Sequence, residues 1–540
     1  MHVRDAEDQY LATWSLGFQP STINTPPHLV KRKRQTERVS EMGEVEGKKP
    51  RVVIVGAGMA GLAAARRLHA SAGDFLDLIV VEAGDRIGGR LLTSEFAGAQ
   101  VEMGATWIHD IHESPIYEIA RKAGALIPAD SGDPGGPQFL WERMDGFPSN
   151  PITLAEGGQA LDPSILNRVS ALFSQLKDLI VSGESADVVE LSSVGAFLRH
   201  GFNSHQKENN DDWVEEAIFA MHECGERTYT AVDDLEHLDL AAEEEYLEFP
   251  GEHITVPGGY SRVPEFLAAA LPPDAILLGR GISLIDWSSN DHRVRLQFDD
   301  GAVEIVDHVI VTVSLGVLKE GIFDKEGHAG GLVFSPPLPK EKRAAIERLG
   351  FGLVTKLFLE LEAEKGKTKS PFPFLRMAFD PARRSAEIPW WMRRTESICP
   401  ILAGSRVLLA WFVGREAAEV EKMDDDEIIR GLHATLKSFS PANSAAGRFG
   451  RISKVRRSGW GRDPRFLGSY SYVAVGSSGD GQDALADSLP RENSPAPLRI
   501  LFAGEATHRT RYATTHGAYL SGVREADRLL QHYGFHSGGS

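Results

Sequence analysis

Arg51-Val-Val-Ile-Val55-Gly56-Ala57-Gly58-Met59-Ala60-Gly61 is a short apolar run that breaks on a glycine triplet. Leu62, Ala65 and Leu68 then recur at helical spacing, and a second apolar run, Leu76 to Val81, ends on Glu82. Each glycine has its own reason. Gly56 permits a tight turn out of the strand, Gly58 lets the backbone approach a pyrophosphate, and Gly61 lets the helix pack close to the sheet. The helix N-terminus offers N–H groups and a partial positive charge to phosphates. Glu82 lies about 20 residues after the last glycine, where an acid accepts hydrogen bonds from a ribose diol. The run therefore predicts a strand–turn–helix–strand unit that grips a dinucleotide.

The rest of the chain bounds that reading. At 540 residues it is long enough for two or more domains. A formal net charge of −18 argues against nucleic acid as a partner and favours cationic ligands only where a cleft concentrates it. Cys224 and Cys399 are the two cysteines. Their number suits a reducing compartment, no zinc spacing is present and no metal is expected, while one disulfide between them stays open. The N-terminus lacks the apolar core of a signal peptide, and no run approaches the ~20 apolar residues of a membrane span. The last residues, Gly-Gly-Ser, are not a peroxisomal address. The expectation is a cytoplasmic protein without a membrane partner. Nothing indicates its oligomeric state.

Residues 1–49 are polar and broken by prolines, with a basic cluster Lys31–Arg34, and read as a disordered arm with a solvated charge patch. A βαβ unit spans 51–85, residues 110–125 read as a helix, and 131–150 are rich in Gly, Pro and Ser. Amphipathic helical spacing runs through 160–222, as in Leu166, Val169, Leu172, Phe173 and Leu176. The acidic run Glu243–Glu245 reads as a solvated face. Arg293–Phe298 alternates into a hairpin turn at Asp299-Asp300-Gly301, and Asp307–Val313 is a continuous apolar strand. Residues 350–362 and 405–413 read as strands and 415–437 as one helix; Arg499–Ala503 is a strand that breaks at Gly504 and feeds a helix from about 516 to 532. These elements predict an α/β fold. A discontinuous Rossmann-like nucleotide domain (50–130, 250–335 and 455–534) is interrupted by a second domain of mixed sheet and helices (131–249 and 336–454).

Three further segments are more specific: Glu82-Ala83-Gly-Asp-Arg86-Ile-Gly88-Gly89-Arg90, Gly104-Ala105-Thr106-Trp107-Ile-His109, and Gly504-Glu505-Ala-Thr-His508. Together they resemble the flavin-containing amine oxidases. Thr312-Val-Ser-Leu-Gly-Val317 and Pro257-Gly-Gly-Tyr-Ser-Arg-Val-Pro264 are similar to polyamine oxidases, nearest to the plant thermospermine and spermine oxidase type. The resemblance implies non-covalent FAD. Glu82 and Ala83 would sit at the ribose, and Arg90 would neutralise the pyrophosphate. Gly104, Ala105, Thr106 and Trp107 would carry the backbone past the flavin edge. Ile282 would hold the adenine through its backbone, Glu505 would bond the ribityl chain and Trp460 would pack on the flavin. Thr514 and Thr515 would open a C-terminal helix whose positive end faces the flavin pyrimidine.

Amine oxidation removes a hydride from the carbon beside a nitrogen that must be neutral. A polycation site therefore needs acids for the distant ammonium groups and a drier zone at the reacting carbon. Lys356 lies in Gly350-Phe-Gly-Leu-Val-Thr-Lys356-Leu-Phe-Leu, an apolar strand where an unpaired lysine is costly. By resemblance it would hold a water near the flavin, and His109 would join it in the active site, with Trp107 in the substrate channel. Glu223 reads equally as the acid that the resemblance places facing the polyamine or as a glutamate on a helix surface. Val354 and Thr514 stand where some relatives place two tyrosines around the substrate, so that aromatic cage is missing or rebuilt. Trp390-Trp391 reads equally as channel wall or core. The implied reaction is exo-side cleavage of spermine or thermospermine to spermidine, 3-aminopropanal and hydrogen peroxide, with dioxygen as acceptor. The rivals are a demethylase of protein lysine and a non-catalytic flavin-binding scaffold.

Overall fold

A computed structural model describes residues 49–535, apart from 110, 128–150, 185–190, 210–212, 290, 324–330, 364–371, 383–386, 403, 441–448, 492 and 495. The N-terminal arm with Lys31–Arg34, and the segment 131–150, lie outside the described residues. From Lys49 onward the chain forms a single compact unit.

Arg51–Val55 is the centre of a five-stranded parallel sheet. Asp77–Val81 and then Ile276–Leu277 lie on one side, and His308–Val311 and then Ile500–Phe502 on the other. Strand periodicity divides the central residues between two cores. Val52 and Ile54 pack with the helices Met59–Ala72 and Thr515–His532, while Val53 and Val55 pack with Ile285, Val294, Leu296 and Phe298 of a smaller sheet. Burial on both faces is why these strands read as unbroken apolar runs. The expected hairpin is present: Val294–Phe298 pairs antiparallel with Val303–Val306.

The second sheet has six strands in the order Ile452–Arg457, Val354–Leu361, Val407–Val413, Ser397–Pro400, Leu375–Ala378 and Ile152–Ala155. Ile452–Arg457 completes this sheet and buries Ile452 and Val455 in its core. Lys340–Arg348 buries Ile346 in the core behind the nucleotide sheet. The single helix expected over 415–437 is two, Gly414–Val420 and Asp425–Ser438. Asp424 starts the second by accepting the Glu427 N–H, as an N-cap does. Cys224 and Cys399 are both free thiols. No helix among the described residues is long and apolar enough to cross a membrane.

Candidate active site

A cavity of about 760 Å³ runs from the glycine triplet to the six-stranded sheet, toward the upper end of the range for ligand pockets. At its nucleotide end Gly56 has φ +106°, and a Cβ there would lie 2.7 Å from Thr312 Oγ1. The helix that follows begins at Gly58 with no side-chain cap, and Gly58, Met59 and Ala60 line the cavity. Its first-turn N–H groups therefore open onto the cavity, the arrangement that binds phosphate. A Cβ on Gly89 would lie 3.1 Å from Gly58 Cα, so two glycine turns meet here. Glu82 is fixed by the N–H groups of Ala57 and Gly84, each at 2.8 Å, and lines the wall beside Ala83. Gly61 stands behind the wall, where a Cβ would lie 1.9 Å from Gly56 O. Arg280 and Ile282 also line this end, and the buried Arg280 Nε has no hydrogen-bond partner in the protein. An unsatisfied buried donor is costly, and a nucleotide acceptor would satisfy it.

Further along, Arg90 Nη1 donates to Ser469 O at 2.7 Å and to Glu505 Oε1 at 3.0 Å. Glu505 Oε2 accepts from Ser471 Oγ at 2.5 Å and from the Ala513 N–H at 2.8 Å. This chain of bonds holds the start of the last helix against the cavity. Thr514 caps that helix by accepting the Gly517 N–H at 3.0 Å, and Thr514 and Thr515 both line the wall. Gly104 admits no side chain, since a Cβ would lie 1.8 Å from Arg90 O. Trp460 lines the cavity beside it and donates its Nε1–H to Met103 O at 2.9 Å.

Lys356 is buried at the junction of the two ends. Its Nζ donates to Glu102 O at 2.9 Å, to Gly104 O and to Thr106 Oγ1. The lysine thus clamps the segment that carries Gly104, Ala105 and Thr106 along the wall. Burial pulls its pKa below the ordinary lysine range, against the attraction of the Glu102 carboxylate. Trp411 is its neighbour across the strand pair, and Trp107 stacks on Trp411 with centroids 6.3 Å apart. His109 lies beyond Trp107 on the same short strand edge, with its Nδ1 3.3 Å from His253 Nδ1. Burial, then repulsion from His253, brings the His109 pKa down to about 4, so the ring is neutral at physiological pH.

The flavin containing amine oxidoreductase model matches residues 59–530. The chain belongs to that family. It is 52% identical to polyamine oxidase 1 of Oryza sativa subsp. japonica over 90% of this chain and 98% of that protein. It is 45% identical to probable polyamine oxidase 5 of Arabidopsis thaliana, over 90% and 99%. Among solved structures, the cyclohexylamine oxidase from Brevibacterium oxydans IH-35A superposes with a TM-score of 0.60 at 18% identity, covering 90% of this chain and 99% of that one. The chain is an FAD-dependent oxidoreductase acting on amines. The uncapped helix start, the apposed glycines and the unsatisfied Arg280 Nε fit that cofactor.

Within this flavin amine oxidoreductase, three readings of the sequence change. Glu223 does not line the cavity. Arg199 clamps it, with Nε donating to Oε1 at 2.6 Å and Nη2 donating to Oε2. The same helix, Trp213–Thr230, presents Gly225, Thr228 and Tyr229 to the cavity instead. The acids that reach this end are Glu243 and Glu396. Glu243 belongs to the run read as a solvated face, but it is half-buried and faces the cavity beside Tyr512. Glu396 is one polar residue before a buried strand and carries no local signal. Trp391 is in the core of the six-stranded sheet and Trp390 is half exposed, so neither is channel wall. Val354 packs beside Trp411 and Tyr470, so aromatic rings reach its surroundings from neighbouring strands.

Proposed function

We propose that this enzyme is a polyamine oxidase acting on the carbon beside a secondary amine of spermine or thermospermine, with dioxygen as electron acceptor. The products are spermidine, 3-aminopropanal and hydrogen peroxide. The observation that carries the reading is the make-up of one cavity end: acids and aromatic rings lie beside an apolar strand that holds Lys356. Such a site attracts cationic nitrogens while keeping water from the reacting carbon. The identity to two proteins named as polyamine oxidases, over 90% of this chain, supports the substrate class.

FAD, when bound, supplies the hydride acceptor. His109 is neutral and lines the cavity, so it adds no positive charge that would repel an incoming polycation. Trp107 and Trp411 form an apolar wall beside it. Water then adds to the oxidised C=N bond, which breaks to give the aldehyde and the shorter amine. Anaerobic addition of spermine, thermospermine or spermidine to the FAD-loaded protein tests the assignment. Bleaching of the flavin absorbance by spermine or thermospermine, with spermidine and 3-aminopropanal among the aerobic products, is the expected outcome. A yellow protein that none of the three bleaches is not a polyamine oxidase.

A further inference from the structure

The two acids at the substrate end are in different states. Glu396 is neutralised, because Arg376 Nη2 donates to its Oε1 at 2.9 Å. Glu243 lines the same cavity yet has no partner among the described ion pairs. Its carboxylate accepts from the Tyr512 hydroxyl at 2.7 Å, a neutral donor. Lys177 is close enough to act on Glu243 electrostatically, but its ammonium is paired with Glu226. Burial accordingly holds the Glu243 carboxyl above its ordinary range. A carboxylate drawn out of bulk water with no ion pair of its own is costly unless a further cation reaches it.

Tyr512 bonds this acid, and two further tyrosines line the cavity near Tyr512. Tyr229, Tyr246 and Tyr512 all line the cavity, and the rings of Tyr246 and Tyr512 meet edge to face at 5.2 Å. Tyr512 is near enough to Glu243, Tyr246 and Tyr229 to feel all three electrostatically, and the Tyr229 hydroxyl donates to Glu248 Oε1 at 2.9 Å. Aromatic rings around a carboxylate make a binding site for an ammonium group, since ring faces attract cations. We infer that Glu243, Tyr229, Tyr246 and Tyr512 form a subsite for a substrate ammonium distant from the oxidised carbon, selecting amines that carry a second cationic nitrogen. The inference rests on the polyamine reading above and names where its selectivity resides. It also supplies aromatic rings that Val354 and Thr514 do not.

The test compares a twelve-carbon α,ω-diamine with dodecylamine, which lacks one ammonium, as ligands of the FAD-loaded enzyme. Binding is followed anaerobically by the flavin spectrum and by calorimetry. The wild-type enzyme should prefer the diamine by about tenfold or more, a difference of ~1.4 kcal/mol. Glu243→Gln keeps an acceptor for Tyr512 but removes the charge, and should erase most of that preference. Tyr246→Leu should reduce it and Tyr246→Phe should keep it, which reads the ring independently of the carboxylate. Absence of a preference in the wild type overturns the subsite, as does a preference that survives both Glu243→Gln and Tyr246→Leu. The two readings fail separately. If spermine does not bleach the wild-type flavin, the polyamine assignment falls; if it does and the variants keep the diamine preference, only the subsite falls.

Discussion

Lys356 ties down one short stretch of chain at three points with a single side chain. Its acceptors Glu102 O, Gly104 O and Thr106 Oγ1 belong to one short segment, and that segment includes the glycine where no Cβ fits. Lys356→Met keeps the apolar stem but leaves those oxygens without their donor. The expected result is slower anaerobic flavin reduction or slower reoxidation, on the order of 10²-fold, as for loss of a positioned proton carrier. FAD should remain bound, because the glycine turns and Arg90 are untouched. Stopped-flow measurement of both half-reactions decides it, and unchanged rates in both remove Lys356 from the mechanism. The lysine was legible in the sequence because a charge inside an apolar strand is out of place. Glu243 was not, because three consecutive acids look solvated until the fold turns one of them into the cavity against Tyr512. Glu223 misled for a related reason: helical spacing defines a face but not which face meets the cavity.

Elements were easier to read where periodicity, caps and punctuation agreed. The strand–turn–helix–strand unit has all three, and its strands and helix lie as the pattern indicates. The split at Glu421–Asp424 is not legible from periodicity, because the apolar pattern continues across it, although Asp424 is itself a cap residue. The last helix, Thr515–His532, shows what a cap does for function as well as stability. Thr514 is both its N-cap and a cavity residue, so the same hydroxyl fixes the direction in which the first-turn N–H groups point. Thr514→Ala should cost about 1 kcal/mol of stability. It should lower the thermal midpoint of the FAD-loaded protein, and Thr514→Ser should restore it. Equal midpoints for all three proteins would show that the cap carries no energy.

Across the whole molecule, folding has buried titratable groups of both signs, and they respond to pH in opposite directions. Carboxyls such as Glu243 and Glu396, raised by burial, bind protons more readily in the folded state. Buried histidines do the reverse. His222, packed against Phe173 and bonded to Ser170 Oγ at 2.8 Å, has its pKa brought down to about 4 by burial and then by Arg376. Its ordinary value is 6.5. Between those two values the unfolded chain holds a proton that the folded chain does not, so acid favours unfolding. The contribution is neutral above about 6.5 and grows unfavourable as pH falls toward 4, with a slope of at most ~1.4 kcal/mol per pH unit. Subtracting a variant isolates this from the acids, whose titration is common to both proteins. His222→Gln removes the titration and leaves a side chain that can bond Ser170. The wild type should therefore lose stability relative to this variant as pH falls from 6.5 to 4, and the two should run parallel above pH 7. Unfolding curves for both proteins across that range test the sign directly. Parallel curves throughout would mean that His222 is protonated as readily in the folded protein as in the unfolded chain.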